Sequence, residues 1–233
     1  MAHNRTIYCI ICGPPAYWVR KVAVTGPSKR RFIGHILRPG ELPENVELIV
    51  DEQYIVLGWD DITADLSAGK AVGANAPTWS TYRDGIGAYA FDAGTMNEIF
   101  VVFHVKHDYA DGTKVYPHVH WGPNTTSTGV VRWGFEYTLQ KGHDQGAFPA
   151  STTIYIEYDV TVDKQYQHII SEVVDANAFD AFEADTLILM RIFRDAGHAN
   201  DTFPDDVFAF TADVHFQVDK QATPNRSPPF TAR

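Results

Sequence analysis

The sequence predicts an all-β protein, an antiparallel two-sheet sandwich of jelly-roll type with an extended N-terminal arm. Three observations carry this. Five or more segments between residues 97 and 219 alternate apolar and polar residues with period two. Turn-forming residues, not helical periodicity, separate them. At 233 residues the chain suits a single large all-β core.

The first forty residues hold three strand-like runs, 6–11, 17–25 and 31–37, broken by Gly13-Pro14-Pro15, Gly26-Pro27 and Arg38-Pro39-Gly40. Residues 45–58 are apolar, and 60–82, rich in Ala, Gly, Thr and Asp, predict an irregular connection. In 97–107, Ile99, Val101, Phe103 and Val105 form an apolar side opposite Phe100, Val102, His104 and Lys106. Turn chemistry at 108–112 leads to 113–121, where Val115, Pro117, Val119 and Trp121 oppose Lys114, Tyr116, His118 and His120; the two segments predict a hairpin. Val131, Trp133, Phe135, Tyr137 and Leu139 give the cleanest alternation, and 152–162 repeats it. A shorter strand is expected at 167–173 and a helix or turn at 175–185. The nearly continuous apolar run 186–193 predicts a strand covered on both faces. In 207–219, Phe208, Phe210, Ala212, Val214, Phe216 and Val218 are assigned to one face. This divides the chain into a basic arm or added hairpin (1–40), a sandwich domain (41–221) and an extended tail (222–233).

The composition, 45% hydrophobic and 21% charged, is that of a globular chain and excludes a disordered one. No apolar run approaches the roughly 18 residues of a membrane span, so no membrane partner is expected. The net charge of −10 is unevenly spread. Arg5, Arg20, Lys21, Lys29, Arg30, Arg31 and Arg38 stand in the first forty residues without any Asp or Glu, so a basic arm precedes an acidic body. Such an arm can meet an acidic neighbouring subunit, its own body or a nucleic acid; nucleic acid is not among the expected partners. Cys9 and Cys12 match neither a zinc-finger spacing nor a redox motif followed by a helix, and are expected to be small hydrophobes.

Histidines supply the strongest candidate chemistry. With the predicted hairpin closed, His104 stands opposite His118 and shares its face with His120. Cross-strand neighbours about 4.5–5.5 Å apart are close enough for a three-histidine metal site, with His215 as a distant fourth ligand. His118-Val119-His120 resembles the His-x-His of cupin-like metalloenzymes, although Asn124 stands where their glutamate is expected. The alternative is that these imidazoles are structural hydrogen-bonding groups. Arg191, Arg194, Asp195, His198, Asn200, Asp201, Asp205 and Asp206 form a second group, consistent with Ca²⁺ binding, acid–base chemistry or plain loop structure. Trp59, Trp79, Tyr82, Tyr116 and Tyr155 fall in loops or on polar strand faces, positions suited to protein contacts or sugar platforms.

Three motifs, Tyr116-Pro117-His118-Val119-His120-Trp121, residues 131–137 (VRWGFEY) and Arg191-Ile192-Phe193-Arg194-Asp195, together resemble a largely uncharacterised family encoded among the structural genes of tailed bacteriophages and prophages. The resemblance covers about residues 59–219; the basic N-terminus departs from it. It implies a virion component made in the host cytoplasm, without catalytic residues or cofactor. The first expectation is a capsid decoration or cement protein, a homotrimer contacting the major capsid protein. Arg20, Lys21, Lys29, Arg30, Arg31, Tyr116, His118, His120 and Trp121 are its candidate interface. The alternatives are a tail- or fibre-associated module that binds carbohydrate or a receptor, and a cupin-like metalloenzyme using His104, His118, His120 and His215.

Overall fold

The computed structural model describes residues 58–66, 69–71, 73–219 and 222–230, with the backbone of five short strands nearer the N-terminus. The chain divides into two compact units, Met1–Val56 and Leu57–Arg233; sequence analysis ended the arm at residue 40. In the first unit, β1 (Thr6–Ile7) runs parallel to β5 (Glu47–Leu48). The strands β2 (Cys12–Gly13), β3 (Ala16–Val19) and β4 (His35–Leu37) pair antiparallel. Arg20, Lys21, Lys29, Arg30 and Arg31, and the side chains of Cys9 and Cys12, lie outside the described residues.

The second unit is a sandwich of two antiparallel sheets, with no α-helix among the described residues and none long and apolar enough to cross a membrane. Its strands are β6 (Gly58–Asp65), β7 (Thr78–Arg83), β8 (Ile86–Phe91), β9 (Glu98–His104), β10 (Lys114–Pro123), β11 (Gly129–Gln140), β12 (Thr152–Val160), β13 (Ile169–Glu172), β14 (Phe179–Asp180), β15 (Leu187–Arg194) and β16 (Val207–Val218). The larger sheet has the order β13-β10-β16-β8-β7, with β14 alongside β10 and β6 alongside β16. The smaller has the order β12-β11-β15-β9. Their facing sides bury Phe91, Ile99, Phe103, Val119, Trp121, Trp133, Phe135, Ile188 and Phe216. This is the arrangement that period-two alternation dictates, because each strand has only one face to hide.

Four expectations are corrected. Segments 97–107 and 113–121 do not form a hairpin: β9 pairs with β15 in the smaller sheet and β10 with β16 in the larger. The connection carries the β9–β15 ladder on through Val105, then crosses to the other sheet, where Ala110 N donates to Gln217 O. Buried Tyr109 fills the crossing and donates its hydroxyl to Thr113 O. Two amphipathic strands joined by turn residues carry the same pattern whether they lie side by side or in opposite sheets; here each turns its apolar face into the shared core from its own sheet.

Residues 60–82 are not irregular throughout. They contribute to β6 and to β7, which pairs with β8 at the sheet edge. Ile62, still 9% exposed, is the single buried residue of β6, which is why no period is visible there.

In β16 the strand faces are divided by a bulge. His120 pairs with Thr211 but Trp121 pairs with Ala209, leaving Phe210 as the extra residue. Val207 and Ala209 therefore join Ala212, Val214 and Phe216 in the core. Phe208 and Phe210 instead pack with Ala88, Ala90 and Tyr82 in a separate cluster. A slip of one residue exchanges the faces, and nothing in the hydrophobic pattern announces it.

Lastly, the first half of β15 is covered on one face only. Leu187 and Leu189 are 37% and 38% exposed, alongside Phe100 (40%) and Val102 (57%) of β9.

Candidate functional site

The outer face of the larger sheet gathers imidazoles and carboxylates in register. Across the strands, Glu172, His118, Asp213 and Thr63 stand in one row, and Tyr116, His215 and Asp61 in the next. His120 stands in the row on the other side of His118, and His168, just before β13, reaches it with Nε2 2.6 Å from His120 Nδ1, the two rings stacked. His118 is buried, its Nε2 3.6 Å from Asp213 Oδ2 and its Nδ1 3.3 Å from Tyr116 O. His120 Nε2 lies 3.0 Å from the same carboxylate oxygen, and His215 Nε2 lies 3.0 Å from Asp61 Oδ1. His215 Nδ1 contacts Glu172 Oε2.

Burial opposes protonation of His118, but the contacts with Asp213 and the Tyr116 carbonyl outweigh it and raise its pKa. His120 moves the other way, because burial and its neighbours His118 and His168 outweigh the attraction of Asp213. Burial works against ionisation of Asp213, yet His118 and His120 hold its carboxyl below the usual range.

Of the four histidines singled out in the sequence, three meet here and one does not. His104 lies on the other sheet, its Nε2 3.1 Å from Asp185 Oδ1, because the hairpin that would place it opposite His118 does not form. The cupin-like arrangement is corrected with it: the space between the sheets is filled by aromatic side chains, and the imidazoles lie outside. Asp213, Glu172 and His168 were missed by sequence reasoning, and Asp61 was not connected with the histidines. Asp213, two residues from His215 on the polar side of its strand, carried a readable signal; the others come from two separate places, β6 and the two ends of β13.

Asp185 is a second hub. Its Oδ1 receives His107 Nε2 at 3.0 Å as well as His104, and its Oδ2 receives His143 Nε2 at 3.0 Å. His107 and His143 pack edge-on against buried Phe230, and His107 Nδ1 lies 2.5 Å from Thr223 Oγ1, so the C-terminal segment docks on this cluster. Burial raises the Asp185 pKa, but the hydrogen bond from His143 and the fields of His107 and His104 outweigh it, and the net shift is downward. A carboxyl whose folded-state pKa is depressed stabilises the fold above the unfolded value and ceases to as pH falls through the folded one. Asp185→Asn, which tolerates the positive φ of 61°, should therefore lower unfolding free energy by about 1–2 kcal/mol near pH 6. The gap should close as pH falls below the ordinary carboxylate value of 3.8. Urea unfolding of both proteins across that range measures it.

Of the 191–206 group, Arg194, Asp195, Asp201, Asp205 and Asp206 make structural contacts, whereas Arg191 lies on the outer face of the smaller sheet. Arg194, fully buried, is held by Asp201, and Asp205 and Asp206 accept from Thr125 Oγ1 and Ala93 N. Trp121, expected at an interface, is corrected: it is wholly buried and donates Nε1 to Ser171 Oγ at 2.9 Å. Tyr116 is half-buried and packs edge-on against Trp59, which is 58% exposed.

The outer face of the smaller sheet carries a groove of about 420 Å³ that sequence analysis did not find. Phe100, Val102 and Leu189 form its floor, and Lys70, Glu136, Ser151 and Arg191 its polar margin. Arg191 Nη1 lies 2.5 Å from Glu98 Oε2, and its Nε donates to Glu136 Oε2 at 2.8 Å. Ser151 Oγ donates to the other oxygen of Glu136 at 2.6 Å. Beside it, the ring of Phe193 lies over Gly134, where an added Cβ would stand 2.2 Å from a ring carbon, so the flat surface requires glycine.

No family model matches this chain, and no curated protein does. Solved structures with similarity include a CBM35 module from Cellvibrio japonicus Abf62, at 6% identity and a TM-score of 0.38, covering 66% of this chain and 92% of that one. The xylan-binding module CBM15 is 12% identical with a TM-score of 0.30, covering 68% and 97%. The stem and receptor-binding domain of spike protein P1 from bacteriophage PM2 is 8% identical with a TM-score of 0.24, covering 88% and 82%. Likenesses of this degree carry no argument about ligand or function.

Proposed function

We propose that this chain is a non-catalytic carbohydrate-binding module of a phage virion, associated with the tail or fibre, that holds a glycan in the groove of its smaller sheet. The groove itself carries the reading. A pyranose ring presents C–H faces and a girdle of hydroxyls. The floor of Phe100, Val102 and Leu189 suits the faces, and the margin of Lys70, Glu136, Ser151 and Arg191 suits the hydroxyls. Arg191 and Glu136 hold each other in place, so little side-chain freedom is lost when a ligand arrives. The decoration reading drew on the basic arm and on Tyr116, His118, His120 and Trp121. Trp121 belongs to the core and the arm lies outside the described residues, whereas the groove is built wholly from described residues of the smaller sheet and its margin, and it is the groove that favours the tail- or fibre-associated reading.

A panel of immobilised oligosaccharides, followed by calorimetry on any that bind, tests it. Phe100→Ala, at a 40% exposed position where folding is little affected, should weaken binding at least tenfold. Trp59→Ala on the opposite sheet should leave affinity unchanged. No binding across the panel, or Phe100→Ala binding like the parent, would overturn the reading. Antibody labelling of purified particles should place the chain at the tail.

A further inference from the structure

We infer that the outer face of the larger sheet is a divalent transition-metal site of the zinc class, with His118, His120 and Asp213 as ligands. The His120 Nε2 to Asp213 Oδ2 and His118 Nε2 to Asp213 Oδ2 distances, 3.0 and 3.6 Å, straddle the edge of about 3.3 Å expected between ligand atoms on a tetrahedral ion with bonds near 2.0 Å. All three ligand atoms lie within 4.8 Å of one another.

Direction matters as much as distance. His120 Nε2 is buried and makes no aligned hydrogen bond, although a carboxylate oxygen stands 3.0 Å away. Atoms that crowd together without pointing at each other are what a shared central ion requires. His118 adds an independent feature: a nearly inaccessible imidazole whose Nδ1 donates to the Tyr116 carbonyl, so that Nε2, 3.6 Å from Asp213 Oδ2, is the nitrogen that offers a lone pair when the ring is neutral. A backbone acceptor on the second nitrogen is the usual device that fixes the tautomer and ring plane of a metal-binding histidine.

The surroundings agree. Asp61 Oδ1 is likewise buried without an aligned hydrogen bond, and Asp61 and His215 form a second group that shares His118. With Asp213 and Glu172 the face carries three carboxylates, a field that favours a cation. Mixed imidazole and carboxylate donors select zinc, nickel, copper or iron over calcium or magnesium. The site lies on the sheet opposite the groove, so it stands or falls independently of the glycan reading.

The test uses the full chain, stripped with chelator and dialysed against Zn²⁺. The expected result is one Zn²⁺ retained per chain by elemental analysis and a higher melting temperature. With Co²⁺, visible absorption of the tetrahedral kind should appear. His120→Ala and Asp213→Asn, each checked by circular dichroism for an intact fold, should weaken Zn²⁺ binding by 100-fold or more and abolish the Co²⁺ spectrum. His104→Ala should retain both. Loss of retention on His104→Ala, unchanged affinity in folded His120→Ala, or a parent chain that holds neither ion would each overturn the assignment.

Discussion

Asp201→Asn is expected to lower the unfolding free energy by about 3–5 kcal/mol, enough to leave the protein largely unfolded at moderate urea. Both partners of the Arg194–Asp201 pair are essentially inaccessible, with side-chain exposures of 0% and 1%. The carboxylate grips the guanidinium with two bonds, at 2.8 and 3.1 Å, and its Oδ2 also accepts the Arg132 amide at 2.9 Å. The remaining guanidinium protons go to the carbonyls of Phe91, Phe203 and Asp205. Phe91 belongs to the larger sheet and Arg194 to the smaller, so the pair ties the two layers through the loop between β15 and β16. Asparagine preserves the volume and removes the charge, leaving a buried cation with only dipoles around it. Breaking one side of such a pair leaves an uncompensated buried charge. Arg194→Met combined with Asp201→Leu should cost at least as much as Asp201→Asn alone, because the Arg132 amide and the carbonyls of Phe91, Phe203 and Asp205 then lose their partners as well. Urea titration of the three proteins decides it, and a double variant more stable than the single one would refute the account.

Trp133→Ala should cost a similar amount, about 3–5 kcal/mol, by a different route. The indole is wholly buried at the centre of the sandwich, with ring centroids 5.1 Å from Phe91 and 5.9 Å from Trp121. Truncation leaves a cavity that flanking β-strands, locked in their ladders, cannot close. Trp133→Phe separates packing from polarity. The indole Nε1 is buried without a hydrogen bond, so phenylalanine removes an unsatisfied donor while filling most of the space. Its cost should stay below about 1.5 kcal/mol. Thermal and urea unfolding of the two variants should differ by more than twofold in free-energy loss.

The histidine face shows how sequence and structure share a site. His118 and His120 were visible because residues two apart in a strand share a face, and His215 because its strand is sharply two-sided. His104 was assigned to them through a hairpin that the chain does not make. The groove left less trace: its floor residues Val102 and Leu189 come from strands far apart in sequence, and an apolar residue on an outer face looks the same in sequence as one in the core.

Local alternation alone determined that this chain is an all-β sandwich and which residues of β9, β10, β11 and β12 point inward, because side-chain direction in a strand follows from the pleat. Only the tertiary structure decided that β9 and β10 belong to different sheets, that a bulge at Phe210 exchanges the faces of β16, and that Asp61, His168 and Glu172 join the histidine cluster. Those outcomes depend on which strands become neighbours. Pairing is settled by the burial that whole faces achieve together, a quantity no single segment contains.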